Sequence, residues 1–245
     1  MHTIDKTSTT RRPTAFGRTA LGVATAIALA AAGAVKGAAH TDIVDLDDWD
    51  PTTIDGLWSA DQLDDIEVRG VGGEAIGEVE SIIIGADDNV AALVLEVGGL
   101  LDIGDTHLRV DWSDVTVDPS GELAYLSVPV SDDNYDQFDL FSKGEVDAAP
   151  REWRAGELIG DYVRLDDGDV VSDDHGYVKD LMFDPSGTLQ AVLVERNLRQ
   201  GGGYQAYPHY GYDHGFDPGL STYSLPYGES DLVDRSPFDY TPFSG

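Results

Sequence analysis

From about Trp58 onward the chain alternates short apolar runs with turns rich in Gly, Asp, Asn and Pro. GEVESIII (Gly77–Ile84) carries its apolar part at Val79 and Ile82–Ile84, and a GADDN turn (Gly85–Asn89) follows. VAALVLEV (Val90–Val97) is then a near-continuous apolar run of strand length. HLRVDW (His107–Trp112) alternates, which puts Leu108, Val110 and Trp112 on one side. VTV (Val115–Val117), a DPSG turn (Asp118–Gly121) and LAYLSV (Leu123–Val128) read as a further hairpin. The same DPSG returns at Asp184–Gly187, again between strand-like runs; Asp and Pro suit the first positions of a type I turn and Gly closes it. Two helical turns are expected, one from Ser59 with Gln62 completing a capping box, one from Ser131 ahead of DDNYDQF. Roughly six short strands per 80 residues, joined by tight turns, predict an all-β fold made of small closed barrels.

This pattern occurs twice. WSADQL (Trp58–Leu63) returns as WRAGEL (Trp153–Leu158), and Val68-Arg69 as Val163-Arg164, at an offset of 95 residues. A four-residue insertion falls in DDGDVVSDD, and the match resumes at an offset of 99. There GEVESIII faces GYVKDLMF (Gly176–Phe183), and AALVLE (Ala91–Glu96) faces QAVLVE (Gln190–Glu195). So many matched apolar positions mark two related domains, 58–141 and 153–228, joined by a linker at 142–152. An Asp-rich stretch without sustained period at 40–57 reads as a flexible lead-in, and 229–245 as a flexible tail.

The N-terminus has a different character. Arg11, Arg12 and Arg18 precede LGVATAIALAAAGAV (Leu21–Val35), an uncharged, Ala-rich run short for a membrane span of about 20 residues. With small residues following at Ala32-Gly33-Ala34 and Gly37-Ala38-Ala39, residues 1–39 read as a secretory signal peptide, an uncleaved anchor being the alternative. The general secretory route is favoured. Arg11-Arg12 raises the twin-arginine route, although Pro13 and Thr14 stand where that signal wants an apolar residue. The expected location is periplasmic or secreted, without stable membrane insertion after cleavage.

Charge narrows the function classes. The 245 residues hold 15 Lys and Arg against 46 Asp and Glu, a net charge of −31. The leader carries Lys6, Arg11, Arg12, Arg18 and Lys36 against Asp5, so the remainder is more acidic still. Nucleic acid is excluded as a partner, because phosphate binding draws on Lys and Arg that are scarce here. An anionic membrane surface repels the chain as well. With no cysteine, disulfides, thiolate metal sites and Cys nucleophiles are absent. Few lysines and an Asp-heavy surface suit a salty exterior, where counter-ions screen self-repulsion beyond about 8 Å.

The order of motifs is W-x-A-x-x-L (Trp58–Leu63), Val68-Arg69, G-x-V-x-x-I (Gly77–Ile82), then AALVLEVGG (Ala91–Gly99). A GLLDIGD loop (Gly99–Asp105) leads to Val110-Asp111-Trp112. This order resembles the PRC-barrel family, the small β-barrel shared by the photosynthetic reaction-centre H subunit and a ribosome-maturation factor. The first copy follows the pattern closely, with Asp111 where the family has Pro. The second keeps the opening and central hairpin (Trp153–Glu195) and then diverges. Its Tyr207-Pro208-His209 stands in the place of Val110-Asp111-Trp112, inside a Gly/Tyr-rich tract. The resemblance implies two tandem barrels and a binding or assembly module rather than a catalyst, and it transfers no catalytic residue. The known members act on the cytoplasmic side, whereas the leader here points outward.

Candidate sites are weak by motif. Gly70-Val71-Gly72-Gly73-Glu74-Ala75 fits a loose dinucleotide pattern, but a strand follows it where the fingerprint needs a helix N-terminus, so a Gly-rich turn is expected. Acidic clusters at Asp45–Asp50, Asp87–Asn89, Ser131–Asp136 and Asp166–Asp174 offer hard-cation oxygens without matching the EF-hand template. The metal candidates are Asp166, Asp167, Asp169, Asp173 and Asp174, with His209 and His214 among the tyrosines. His107 and His175 stand singly, at a strand edge and in a turn. No cofactor is expected, and no G-x-S-x-G, H-E-x-x-H or P-loop motif points to an enzyme. The expectation is therefore a non-catalytic envelope protein that binds a protein partner or itself. The alternative is an acidic cation-binding or stress-protective protein that takes divalent cations.

Overall fold

The computed structural model describes residues 42–64, 66–98, 106–117, 125–131, 133–138, 140–141, 149–166, 171–214, 216–232 and 235–244. The leader, the DPSG turn at 118–121, the GLLDIGD loop from 99 to 105, and Asp167 and Asp169 lie outside them. His40–Gly245 forms one compact unit. Among the described residues no helix is long and apolar enough to cross a membrane.

The first repeat runs β1 (Trp58–Ser59), α1 (Ala60–Leu63), β2 (Glu67–Arg69), β3 (Ala75–Ile84), β4 (Val90–Val97), β5 (Thr106–Asp111), β6 (Thr116–Val117), β7 (Leu126–Ser127) and β8 (Leu140–Phe141). The second runs β9 (Trp153–Arg154), α2 (Ala155–Leu158), β10 (Tyr162–Asp166), β11 (Val171–Phe183), β12 (Leu189–Arg196), β13 (Tyr204–Pro208) and β14 (Thr222–Leu225). The fold is all-β, with two sheets that form two barrel-like units. Their strand orders are β6-β7-β2-β3-β4-β5-β8 and β13-β12-β11-β10-β14. The capping box forms as its residue types demand: Gln62 N donates to Ser59 Oγ and Ser59 N to Gln62 Oε1. The turn expected from Ser131 begins later, as a 3-10 turn at Tyr135–Gln137, after Asn134 has folded back on Ser131 N.

In the central hairpins the repeat is exact at the level of strand register. Val79 faces Leu95, Ile82 faces Leu93 and Ile84 faces Val90; Val178 faces Val194, Leu181 faces Val192 and Phe183 faces Leu189. Both hairpins bulge at the same two places, leaving Glu80 and Lys179 on one strand and Ala91 and Gln190 on the other as extra residues. Gly77 and Gly176 hold equivalent positions because a Cβ there would come within 1.9 and 2.1 Å of the Glu96 and Glu195 carbonyl oxygens. Tyr207 and Pro208 occupy the register of Val110 and Asp111, as the sequence alignment expects. The return strand is also repeated: β7 lies parallel to β2 and β14 parallel to β10, so Leu126-Ser127 corresponds to Tyr223-Ser224.

Each repeat gives its opening to the other. Trp58 pairs with Phe183 on β11, and Trp153 pairs with Ile84 on β3. Trp58 stacks on Phe183 with centroids 4.5 Å apart and donates from Nε1 to the Asp184 carbonyl at 2.8 Å. At the centre, Asn89 bridges its own counterpart, Thr188. Val90 N donates to Gly187 O and Leu189 N to Asp88 O, both at 2.8 Å, which places a pseudo-twofold axis between the two turns. One connected cluster of buried apolar side chains, including Trp58, Leu93, Leu108, Trp153, Phe183 and Val192, runs through both units.

The segments read from composition as a flexible lead-in and tail pack against the second unit where they are described. Tyr210 OH accepts from Val44 N and Tyr227 OH donates to Val44 O, while Leu46 is buried. In the tail, Phe238 N donates to Tyr204 O, and Tyr240 joins Met182, Ala191, Leu193 and Ala206 in a second buried cluster. Single aromatic and apolar anchors in a polar, Pro-containing stretch carry no periodicity, so pattern alone does not reveal them.

Candidate metal centre and binding face

Side chains alternate across a strand, so the apolar inner face dictates which residues form the outer one. On the first unit, one outer row crosses four strands: Glu67 opposite Glu78, Glu78 opposite Glu96, Glu96 opposite His107. On the second unit the same row reads Tyr162, Tyr177, Glu195 and Tyr204. Two chemistries therefore occupy one backbone position.

In the first unit the bulge turns Glu80 toward this row. His107 Nε2 lies 2.7 Å from Glu80 Oε2 and 3.6 Å from Glu96 Oε2. One donor atom from each of these residues falls within 4.8 Å of the others. The His107 side chain is 1% exposed, against 25% for Glu80 and 29% for Glu96. Neither ring nitrogen makes an aligned hydrogen bond among the described residues, so the short approach to Glu80 is one of proximity without hydrogen-bond geometry. Beside it Arg109 makes a two-pronged contact with Glu152, at 2.8 and 2.9 Å, which holds that carboxyl below its usual range. A buried imidazole facing two carboxylates has the donor set of a divalent-cation site.

In the second unit the row is aromatic. Tyr162 is 69% exposed and Tyr177 38%, and the two face each other across β10 and β11. Leu220, 56% exposed, lies one residue before Ser221, whose carbonyl accepts from Tyr162 N. Tyr177 OH donates to Glu195 Oε2 at 2.5 Å, and that carboxylate, together with burial, pushes the phenol up to about 12. Further along, Asp180 is fully buried where the first unit has Ser81; desolvation raises its carboxyl, opposed by donation from Tyr240 OH and Leu181 N.

The motif-level candidates are scattered. Asp166 ends β10, and Asp173 and Asp174 lie within β11. The His209 side chain is buried in the position equivalent to Trp112, stacked on Tyr223, with Nε2 3.2 Å from Asp88 Oδ1. His214 sits edge-on to Tyr210. Among the described residues none of these joins a group of three close donors. Gly70–Glu74 is a turn, with Gly73 at φ +81°, and strand β3 begins at Ala75, as expected. The cluster that does form was missed because its members sit on three strands. The available signal was the alternation in HLRVDW, which sends His107 to the face opposite Leu108. No protein-family model matches the chain, and comparison with the curated proteins finds no match.

Proposed function

We propose that this protein is a non-catalytic binding module of the cell envelope, exported by its N-terminal leader and built from two PRC-like units. It engages a protein partner through the tyrosine row of its second unit. The observation that supports this reading is the exchange between rows. The first unit keeps the same register with exposed Glu67 and Glu78 where the second has Tyr162 and Tyr177. Folding therefore does not demand two large aromatic side chains there, and leaving them in water costs burial that the core could have used. Tyrosine offers a wide contact area with little side-chain entropy to lose, and it is enriched at protein interfaces. The surrounding acid selects a partner surface of opposite charge. The family resemblance, whose known members dock on other proteins, agrees.

The test is to replace both tyrosines by the residues of the other unit, Tyr162→Glu with Tyr177→Glu, in the full chain. Capture from extracts of the producing cells, at salt high enough to screen charge, should lose its specific bands while the melting temperature stays within a few degrees. Equal capture by the double variant refutes the assignment of this face.

A further inference from the structure

We infer that Glu80, Glu96 and His107 form a binding site for one divalent transition-metal cation, with Zn²⁺ the fitting probe. An acidic cluster alone would not justify this in so acidic a chain. The imidazole supplies the independent observation: its side chain is 1% exposed, and neither nitrogen is hydrogen-bonded among the described residues. A buried polar group left in that state is costly, and proteins rarely tolerate it without a function for it. Its Nε2 lies within 4 Å of an oxygen of each of two carboxylates.

The hydrogen-bond alignment is missing, and a shared ion needs only small side-chain shifts from the observed spacing. Bonds of about 2.1 Å place tetrahedral ligand atoms roughly 3.4 Å apart. The two observed separations, 2.7 and 3.6 Å, lie on either side of that value. One neutral imidazole with two carboxylates carries a charge of −2, which a divalent cation neutralises. The mixed nitrogen and oxygen set favours a borderline metal over Ca²⁺ or Mg²⁺, which take oxygen ligands almost exclusively. Partial exposure of Glu80 and Glu96 gives the ion a way in. Three protein ligands leave a coordination position for water. The second unit lacks the site: Lys179, Glu195 and Tyr204 stand at the equivalent places, and its tail packs there instead.

The test is calorimetric titration of ZnCl₂ into the untagged full chain, with CaCl₂ in parallel. Zn²⁺ should bind saturably at one per chain and raise the melting temperature, while Ca²⁺ gives only weak, salt-sensitive heats. Glu80→Gln and Glu96→Gln keep side-chain shape at partly exposed positions, so the metal-free proteins should melt as the parent does. Each should bind Zn²⁺ at least about tenfold more weakly, the scale seen even when outer ligand supports are lost. X-ray absorption of the bound zinc should show one imidazole among oxygen neighbours. Unsaturable binding overturns the inference. So does undiminished binding by both variants, or loss on His209→Gln with Glu96→Gln unaffected.

Discussion

Glu67, Glu78, Glu96 and His107 in the first unit, and Tyr162, Tyr177, Glu195 and Tyr204 in the second, sit on backbones that pair residue for residue. The inner faces agree because both must fill a core: Val79, Leu93 and Leu95 correspond to Val178, Val192 and Val194, all buried. Gly77 and Gly176 agree because a neighbouring carbonyl leaves no room for a Cβ. Outer positions have no such constraint, and there the copies have diverged into an acid–histidine row and a tyrosine row. Architecture is thus held by the inner face and the exchanged tryptophans, while chemistry is set separately on each outer face.

The exchange is the feature to break first. Trp58 and Trp153 are buried at equivalent places, and truncating a buried aromatic costs about 3–5 kcal/mol. Either Trp→Ala variant should lower stability by that amount and loosen both units together, as read by urea unfolding with far-UV and near-UV circular dichroism. The sharper test uses Phe. Trp58 Nε1 donates to Asp184 O, whereas Trp153 Nε1 is buried without a partner among the described residues. Trp58→Phe should therefore cost more than Trp153→Phe, by roughly 1 kcal/mol, the net worth of a hydrogen bond. Equal losses would show that the two rings are held alike.

Acid separates the units next. His175 is buried in the second unit where the first has Ile76, and its ring shares a 2.8 Å hydrogen bond with Tyr207 OH. Burial first, and the Arg196 charge second, lower its pKa from 6.5 to about 4. Between these values the unfolded chain binds more protons than the folded one. The neutral ring is fully compatible with folding above pH 6.5, and stability is lost as the pH falls toward 4. The loss from this group is on the order of 3 kcal/mol. His175→Gln keeps a partner for Tyr207 and should flatten that part of the stability curve. An unchanged slope in urea melts at pH 7 and pH 4.5 would remove His175 from the account.

A smaller difference lies at Asp180 and Ser81. Tyr240 OH donates to Asp180 Oδ2 at 2.7 Å, joining the tail to the second sheet. Tyr240→Phe leaves the buried carboxyl one donor short and should cost about 1–3 kcal/mol. Hydrogen exchange should rise first in residues 235–244 and not in the first unit. Exchange that rises equally in both would mean that the tail is not held locally.

The legibility of these features follows from how local their signals are. Hairpins β3–β4 and β11–β12 were readable because apolar residues and turn residues recur at short range, and the offset of 99 carried the register across. Tyr207-Pro208-His209 was placed correctly by order alone. β14 escaped notice because Tyr223-Ser224 shares one residue with Leu126-Ser127 and returns at an offset of 97. The exchange of Trp58 and Trp153 has no local signature; either ring could have capped its own unit. Glu80 reaches His107 at a bulge, where alternation counted forward from Glu78 and back from Ile82 disagrees about its face.

The least disruptive change tests the turns at the pseudo-axis. Asp88 and Gly187 are equivalent, and both have positive φ, +60° and +88°. Glycine adopts this conformation freely, whereas an ordinary side chain pays about 1–2 kcal/mol and Asp somewhat less. Asp88 is retained despite that cost, and its Oδ1 lies 3.2 Å from His209 Nε2, across the axis from its own unit. Gly187 instead lies against the Trp112 ring, where a Cβ would come within 2.8 Å of Nε1. The two turns thus solve the same crossing differently, one with a polar contact and one with close packing. Asp88→Gly relieves the backbone but gives up the contact, so the two effects should nearly cancel, to within about 0.5 kcal/mol. Asp88→Ala gives up the contact and keeps the strain, and should cost about 1 kcal/mol or more. If Ala and Gly prove equally tolerated at 88, the positive φ carries no penalty there, and the turns differ in their contacts alone.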